Sequence, residues 1–163
     1  MRAIFIIFLS IITLSNIFPQ NNRKKIPNVK LEVLDGKKVQ LKSYLGNGPV
    51  LISFWATWCK PCQEELNEYQ KLYNAYKSKG FQMLGISIDN EKTIAKVKPY
   101  IKSRNYNFTV LLDSNSKVAH LFNIQDAPNT FLVDNKGNIV FSLYGYKKGD
   151  ELELKKKIED LLK

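Results

Sequence analysis

Cys59 and Cys62 are the only two cysteines in the 163-residue chain, and Lys60 and Pro61 separate them. Such a pair can be half of a zinc site, two unrelated core thiols, or a reversible dithiol–disulfide couple. Zinc usually takes four Cys or His ligands. The chain offers these two cysteines and a single histidine, His120, which falls short of that set. Two inert core thiols would leave the proline between them without a purpose. The redox reading uses every feature of the stretch. Disulfide exchange needs an attacking thiolate, an accessible disulfide, and a second thiol that resolves the mixed intermediate.

The flanking residues say how such a pair would be held. The apolar run Val50-Leu51-Ile52-Ser53-Phe54-Trp55 comes before it, and the polar, helix-forming run Gln63-Glu64-Glu65-Leu66-Asn67-Glu68-Tyr69 comes after. A strand that turns directly into a helix would set Cys59 at the helix N-terminus. Unpaired backbone N–H groups and the helix dipole favour an anion there, so the thiol should ionise below its free value of about 8.5. Lys60 adds a positive charge, and Pro61 suits a first helical turn, where its missing N–H is not needed. Cys62 would lie one turn deeper, within disulfide reach of Cys59. Cys59 is therefore expected to attack and Cys62 to resolve.

The rest of the chain alternates strand and helix patterns. Residues 29–34 and 39–41 read as a hairpin across Asp35-Gly36, and 50–55 as the central strand. A helix should run from Cys59 to about Lys79, with Leu66, Tyr69, Leu72, Tyr73 and Tyr76 as its apolar stripe and Gly80 as its stop. Next come a strand at 81–88, a helix at about 91–104 containing Pro99, a strand at 108–112 and a short helix at 116–122. Phe131–Asp134 and Ile139–Leu143 form a second hairpin across Asn135–Asn138. Residues 151–162 close the chain as an amphipathic helix on Leu152, Leu154, Ile158 and Leu161. Strands interleaved with helices call for an α/β layered fold.

Phe54-Trp55-Ala56-Thr57-Trp58-Cys59-Lys60-Pro61-Cys62, with Glu65 three residues further on, resembles the active-site segment of TlpA/ResA-like thiol–disulfide oxidoreductases of the thioredoxin-like superfamily. The resemblance runs from about Ile26 to the C-terminus. It implies a thioredoxin fold with an N-terminal β-hairpin extension and an inserted helix–strand unit, a central mixed sheet flanked by helices. It also implies that Pro128 is a cis-proline packed beside the Cys59–Cys62 disulfide. Ala127 would then offer its backbone to an extended client segment, in the manner of strand addition. Trp58, Lys60 and Pro61 complete the expected client surface, with Trp58 as an apolar shoulder and Trp55 in the core.

Glu65 stands one helical turn after Cys62, so its carboxylate can lie near the cysteines. A partly buried Glu would hold its proton more tightly and could take the proton of the resolving thiol. The competing reading is a solvated Glu beside Glu64. Thioredoxins proper carry a buried Asp six residues before the first cysteine, and Ser53 stands at that place here. Glu65 is thus the one proton acceptor in view.

Composition sets the surroundings. Hydrophobic residues make up 44% and the formal charge is +10, enough apolar content for one packed domain. The lysines are spread among acids and apolar residues, which reads as a solvated surface and speaks against nucleic-acid binding. Met1-Arg2 followed by the apolar run Ala3–Leu14 matches the start of an export signal. Residues 1–20 are accordingly read as a signal peptide or membrane anchor, 21–28 as a linker, and 29–163 as the domain. The resulting expectation is an exported monomer in the periplasm or on the outer face of the cytoplasmic membrane. The resemblance implies a reductant that acts on client proteins through their cysteines, draws electrons from a membrane thiol carrier and needs no cofactor or metal. The resemblance adds the haem-attachment cysteines of c-type apocytochromes as a client class. Two alternatives are a thiol peroxidase and a non-catalytic binding module. The peroxidase motif would need Pro and Thr or Ser where Ile52 and Ala56 stand, and retention of both cysteines argues against a mere binder.

Overall fold

The computed structural model describes residues 24–163; the export segment read at 1–20 lies outside them. The hairpin of β1 (Lys30–Val33) and β2 (Lys38–Gln40) comes first, then β3 (Val50–Trp55), α1 (Lys60–Tyr76) and β4 (Gln82–Ser87). They are followed by α2 (Val97–Ser103), β5 (Thr109–Leu112), α3 (Lys117–Leu121), β6 (Asn129–Val133), β7 (Ile139–Tyr144) and α4 (Asp150–Leu161). One seven-stranded mixed sheet carries them in the order β2-β1-β5-β4-β3-β6-β7. β3 runs parallel to β4 and antiparallel to β6. The expected thioredoxin fold is present, with β5 of the inserted unit lying between β4 and the N-terminal hairpin.

Strand alternation sends successive side chains to opposite faces, and β3 shows how this places the site. Val50, Ile52 and Phe54 pack on the face covered by α3, with Val118, Ala119 and Phe122. Leu51 and Trp55 pack on the other face, with Leu66 and Tyr69 of α1, Val97 and Ile101 of α2, and Leu154 and Ile158 of α4. Ser53 falls on this second face, beneath α1. Gly85 of β4 is where a side chain would not fit: a Cβ there would meet Phe108 at 2.8 Å and the Trp55 indole nitrogen at 3.1 Å. The missing side chain leaves room for the Trp55 indole, which is fully buried as expected.

Three expectations change in detail. The helix read at 91–104 begins only at Val97, after a 3-10 turn at Ile94–Lys96. Pro99 lacks an N–H and is tolerated in a first turn, not in a helix interior, so the helix starts where Pro99 falls in that turn. Leu152 is 61% exposed, while Leu154 and Ile158 are fully buried, so the apolar stripe of α4 is narrower than read. The stretch read as a linker is partly built into the fold. Lys25 bridges Asn138, the Ile26 N–H donates to Gly137 O at 3.0 Å, and the Ile26 side chain is buried.

Candidate active site

The segment after β3 is held from both sides. The Ile88 N–H donates to Trp55 O at 2.9 Å, and the Cys59 N–H closes a tight turn onto Ala56 O at 3.1 Å. Between these anchors, Thr57 is clamped by the fully buried Asp89. The Thr57 N–H donates to Asp89 Oδ2 at 2.8 Å and its hydroxyl to Oδ1 at 2.6 Å. Ser87 Oγ donates to Oδ2 at 2.9 Å, and Gln63 Nε2 donates to Thr57 O at 3.3 Å. The turn therefore delivers Cys59 to a fixed point, the N-cap of α1.

Cys59 Sγ accepts the Cys62 N–H at 3.2 Å, and Pro61 sits in the first turn. The two cysteines form a disulfide with their Cα atoms 5.3 Å apart. Cys59 keeps 5% of its surface exposed and Cys62 none, the order expected of attacker and resolver. Lys60 and Pro61 are exposed beside them, and Trp58 is 60% exposed, a large apolar surface left in solvent at the disulfide's edge.

Glu65 is not a surface residue. It is fully buried one turn below Cys62, its Oε2 accepting from Ser53 Oγ and its Oε1 from Thr130 Oγ1, both at 2.8 Å. Ser53 and Thr130 are direct register partners across β3 and β6, so both hydroxyls rise from the same point of the sheet. Burial pushes the carboxyl up to about 7; the hydroxyls of Ser53, Thr130 and Tyr69 pull the other way, and the negative charge of Asp150 adds a smaller upward push. A carboxyl in this state is evenly divided between its charged and neutral forms near neutral pH, as an acid–base group needs.

The Ala127–Pro128 bond is cis. Asn129, the next residue, pairs with Phe54, so the proline stands at the same end of the sheet as the cysteines. Ala127 packs against the cluster that holds Cys59 and Cys62. Pro128 O accepts the Gly145 N–H at 2.9 Å, while the Ala127 N–H and C=O have no hydrogen-bond partner among the described residues. Tyr144, 74% exposed, lines an open cleft of about 330 Å³ with Gln125, Asp126, Ala127, Pro128 and Asn129.

Residues 23–142 match the AhpC/TSA family. The chain belongs to that family. Thiol-disulfide oxidoreductase ResA of Bacillus cereus is 35% identical over 130 residues, 80% of this chain and 73% of that protein. A thiol:disulfide interchange protein from Bacteroides sp. has the same fold with a TM-score of 0.71 at 28% identity, over 86% of this chain and 89% of its own. A thioredoxin-like protein from Porphyromonas gingivalis gives 0.73 at 37% identity, over 84% and 91%. The chain is a thiol–disulfide oxidoreductase with a thioredoxin-like fold.

The family's chemistry meets several residues here that carry little signal in the sequence. Asp89 reads there only as a turn and cap residue, yet it fixes the approach to Cys59. Thr130 reads only as part of the Pro128 segment. Its pairing with Ser53 is in principle readable, since the residue two after Pro128 must face the same layer as Ser53 if β6 lies beside β3. Tyr144 has no expected role and lines the cleft beside the cis-proline. His120 is exposed on α3. Among the described residues no group of three or more His, Cys, Asp or Glu side chains is placed to hold a metal ion.

Proposed function

We propose that the protein is an exported reductant of client disulfides, acting in the periplasm or on the outer face of the cytoplasmic membrane, with the haem-attachment cysteines of apocytochromes as one client class. The observation that carries the exchange chemistry in this reading is Glu65, buried beneath Cys62 and poised to change its charge near neutral pH. In the reduced protein Cys59, as a thiolate at the N-cap, attacks a client disulfide. The Cys59–client bond forms, and one client sulfur leaves as a thiolate. Glu65 then takes the proton of the Cys62 thiol. The Cys62 thiolate attacks Cys59 Sγ, the mixed disulfide breaks, and the second client thiolate departs. Two electrons have passed to the client, leaving the Cys59–Cys62 disulfide. A membrane thiol carrier would return the pair to the reduced state.

Client docking would use Trp58 as the apolar shoulder and the unpaired backbone groups of Ala127 as a short strand partner, with Lys60 and Pro61 at the rim. Pairing through the main chain selects an extended shape and little sequence, which suits a protein serving more than one client. Export is supported by the basic start and apolar run of residues 1–14.

The reduction potential of the Cys59–Cys62 pair tests the direction of electron flow. Thioredoxin-fold proteins span roughly −270 to −120 mV. A value near the lower end is expected; a value near the upper end would make the protein an oxidant and overturn the proposal.

A further inference from the structure

Tyr69 is fully buried on α1, one turn beyond Glu65 and on the same face of the helix. Its hydroxyl is shut off from solvent yet falls short of hydrogen-bond geometry with any of the described residues. Burying an O–H without a partner is costly, and such groups are uncommon in native interiors. A phenylalanine would fill the same space without that cost. The ring itself is well placed, edge-on to Tyr146 with centroids 6.5 Å apart. What lies near the hydroxyl is the Glu65 carboxyl and Thr130, both close enough to act on its ionisation.

The Glu65 carboxyl leaves room for such a donor. Each of its oxygens accepts one hydroxyl, from Ser53 and from Thr130, and an ionised carboxylate has about four acceptor positions. A hydrogen bond to a charged acceptor is roughly twice as strong as one between neutral groups. A neutral carboxyl therefore draws the Tyr69 hydroxyl weakly, and a carboxylate draws it strongly. We propose that Tyr69 is a positioning residue for the proton transfer at Cys62: its hydroxyl closes onto the Glu65 carboxylate as that group ionises, and so holds Glu65 in the form that accepts the Cys62 proton. The proposal rests on the reading of Glu65 as that acceptor.

The surroundings of Glu65 leave this role to Tyr69. Cys62 and Tyr69 face it from its own helix, Ser53 from β3 and Thr130 from β6. Asp150 acts from the start of α4 and disfavours the charged form. Tyr146, from the segment before α4, already donates to Glu151 Oε2 at 2.8 Å. Among the described residues, no lysine or arginine is one of the strongest influences on Glu65. Burial and the Glu65 charge push the Tyr69 hydroxyl well above its ordinary value, so it donates a hydrogen bond without losing its proton.

The test is stopped-flow mixing of the reduced full-length protein with an aromatic disulfide between pH 5 and 9. Release of the second aromatic thiol reads the Cys62 step. In the parent the rate should rise with a midpoint near the Glu65 value of about 7. Tyr69→Phe keeps the ring and should move that midpoint upward by about one pH unit. Ser53→Ala, which removes a donor already seen, calibrates the shift. An unmoved midpoint in Tyr69→Phe, with Glu65→Gln losing the midpoint altogether, overturns the role of Tyr69 and leaves Glu65 standing. A midpoint that survives in Glu65→Gln overturns both. A Tyr69→Phe variant that fails to fold is replaced by titrating the parent Glu65 carboxyl with a specifically fluorinated tyrosine at position 69. The stronger donor should then lower the carboxyl midpoint, and no change overturns the proposal.

Discussion

Two carboxylates are fully buried at the same end of the sheet, Asp89 after β4 and Glu65 on α1, and they are held in different ways. Asp89 accepts a backbone N–H and a hydroxyl from Thr57 and a third bond from Ser87. Among the described residues, Glu65 accepts only from the two hydroxyls of Ser53 and Thr130. A backbone amide can only donate, whereas a hydroxyl can donate or accept. The Asp89 clamp therefore suits a group that keeps one arrangement and fixes the turn leading to Cys59. The Glu65 setting suits a group that gains and loses a proton. One buried acid shapes the site, and the other is the one proposed to serve its chemistry.

Removing the clamp should have the largest effect. Asp89→Ala leaves the Thr57 N–H and two hydroxyls without their acceptor, and we expect a loss of about 4 kcal/mol in denaturant unfolding of the oxidised protein. A loss under about 1 kcal/mol would mean that the turn holds itself and the contrast is false.

Glu65→Gln should act in the opposite sense on stability. The Glu65 carboxyl is raised by burial from its ordinary 4.5 to about 7, so the folded state binds the extra proton between those values. Its contribution is most favourable below about 4.5 and is lost as pH rises through 7. The difference corresponds to about 3 kcal/mol. Parent and variant should therefore unfold alike near pH 4.5, and the variant should be the more stable at pH 8. Equal curves at both pH values would refute the buried, titrating carboxyl. The same variant should slow the Cys62 step by about a hundredfold at pH 7.

Losing one hydroxyl from each setting gives the smallest effects and the sharpest contrast. Thr57→Val should cost about 1.5 kcal/mol of stability and leave the pH profile of thiol release in place. Ser53→Ala should move that profile upward by about one pH unit. Identical behaviour of the two variants would erase the distinction.

The cysteine pair and its helix were legible because each has a local signature, and the cis-proline was legible through the family resemblance. A proline inside the pair fits a first helical turn, and the motif around the cysteines implies the second proline at Pro128. The layer order was legible for the same reason, since the periodicity of alternating strands and helices is a local property. The features that were not legible depend on contacts far apart in the chain. Glu65 could also be read as a surface neighbour of Glu64, because the closure of β3 and β6 over α1 is what buries it. Asp89, after β4, reaches Thr57 just past the end of the neighbouring β3, 32 residues earlier in the chain. The exposure of Leu152 and the late start of α2 turn on how each helix is seated, which a spacing of apolar residues does not define.

The central claim, that a buried carboxyl beneath Cys62 changes charge near neutral pH, is tested most directly by a carbon-13 titration of the glutamate side-chain carboxyls in the oxidised protein, with Glu65→Gln used to assign the resonance. The account predicts one carboxyl, absent in the variant, with a midpoint near 7. A Glu65 midpoint in the ordinary range, about 4 to 5, would contradict it.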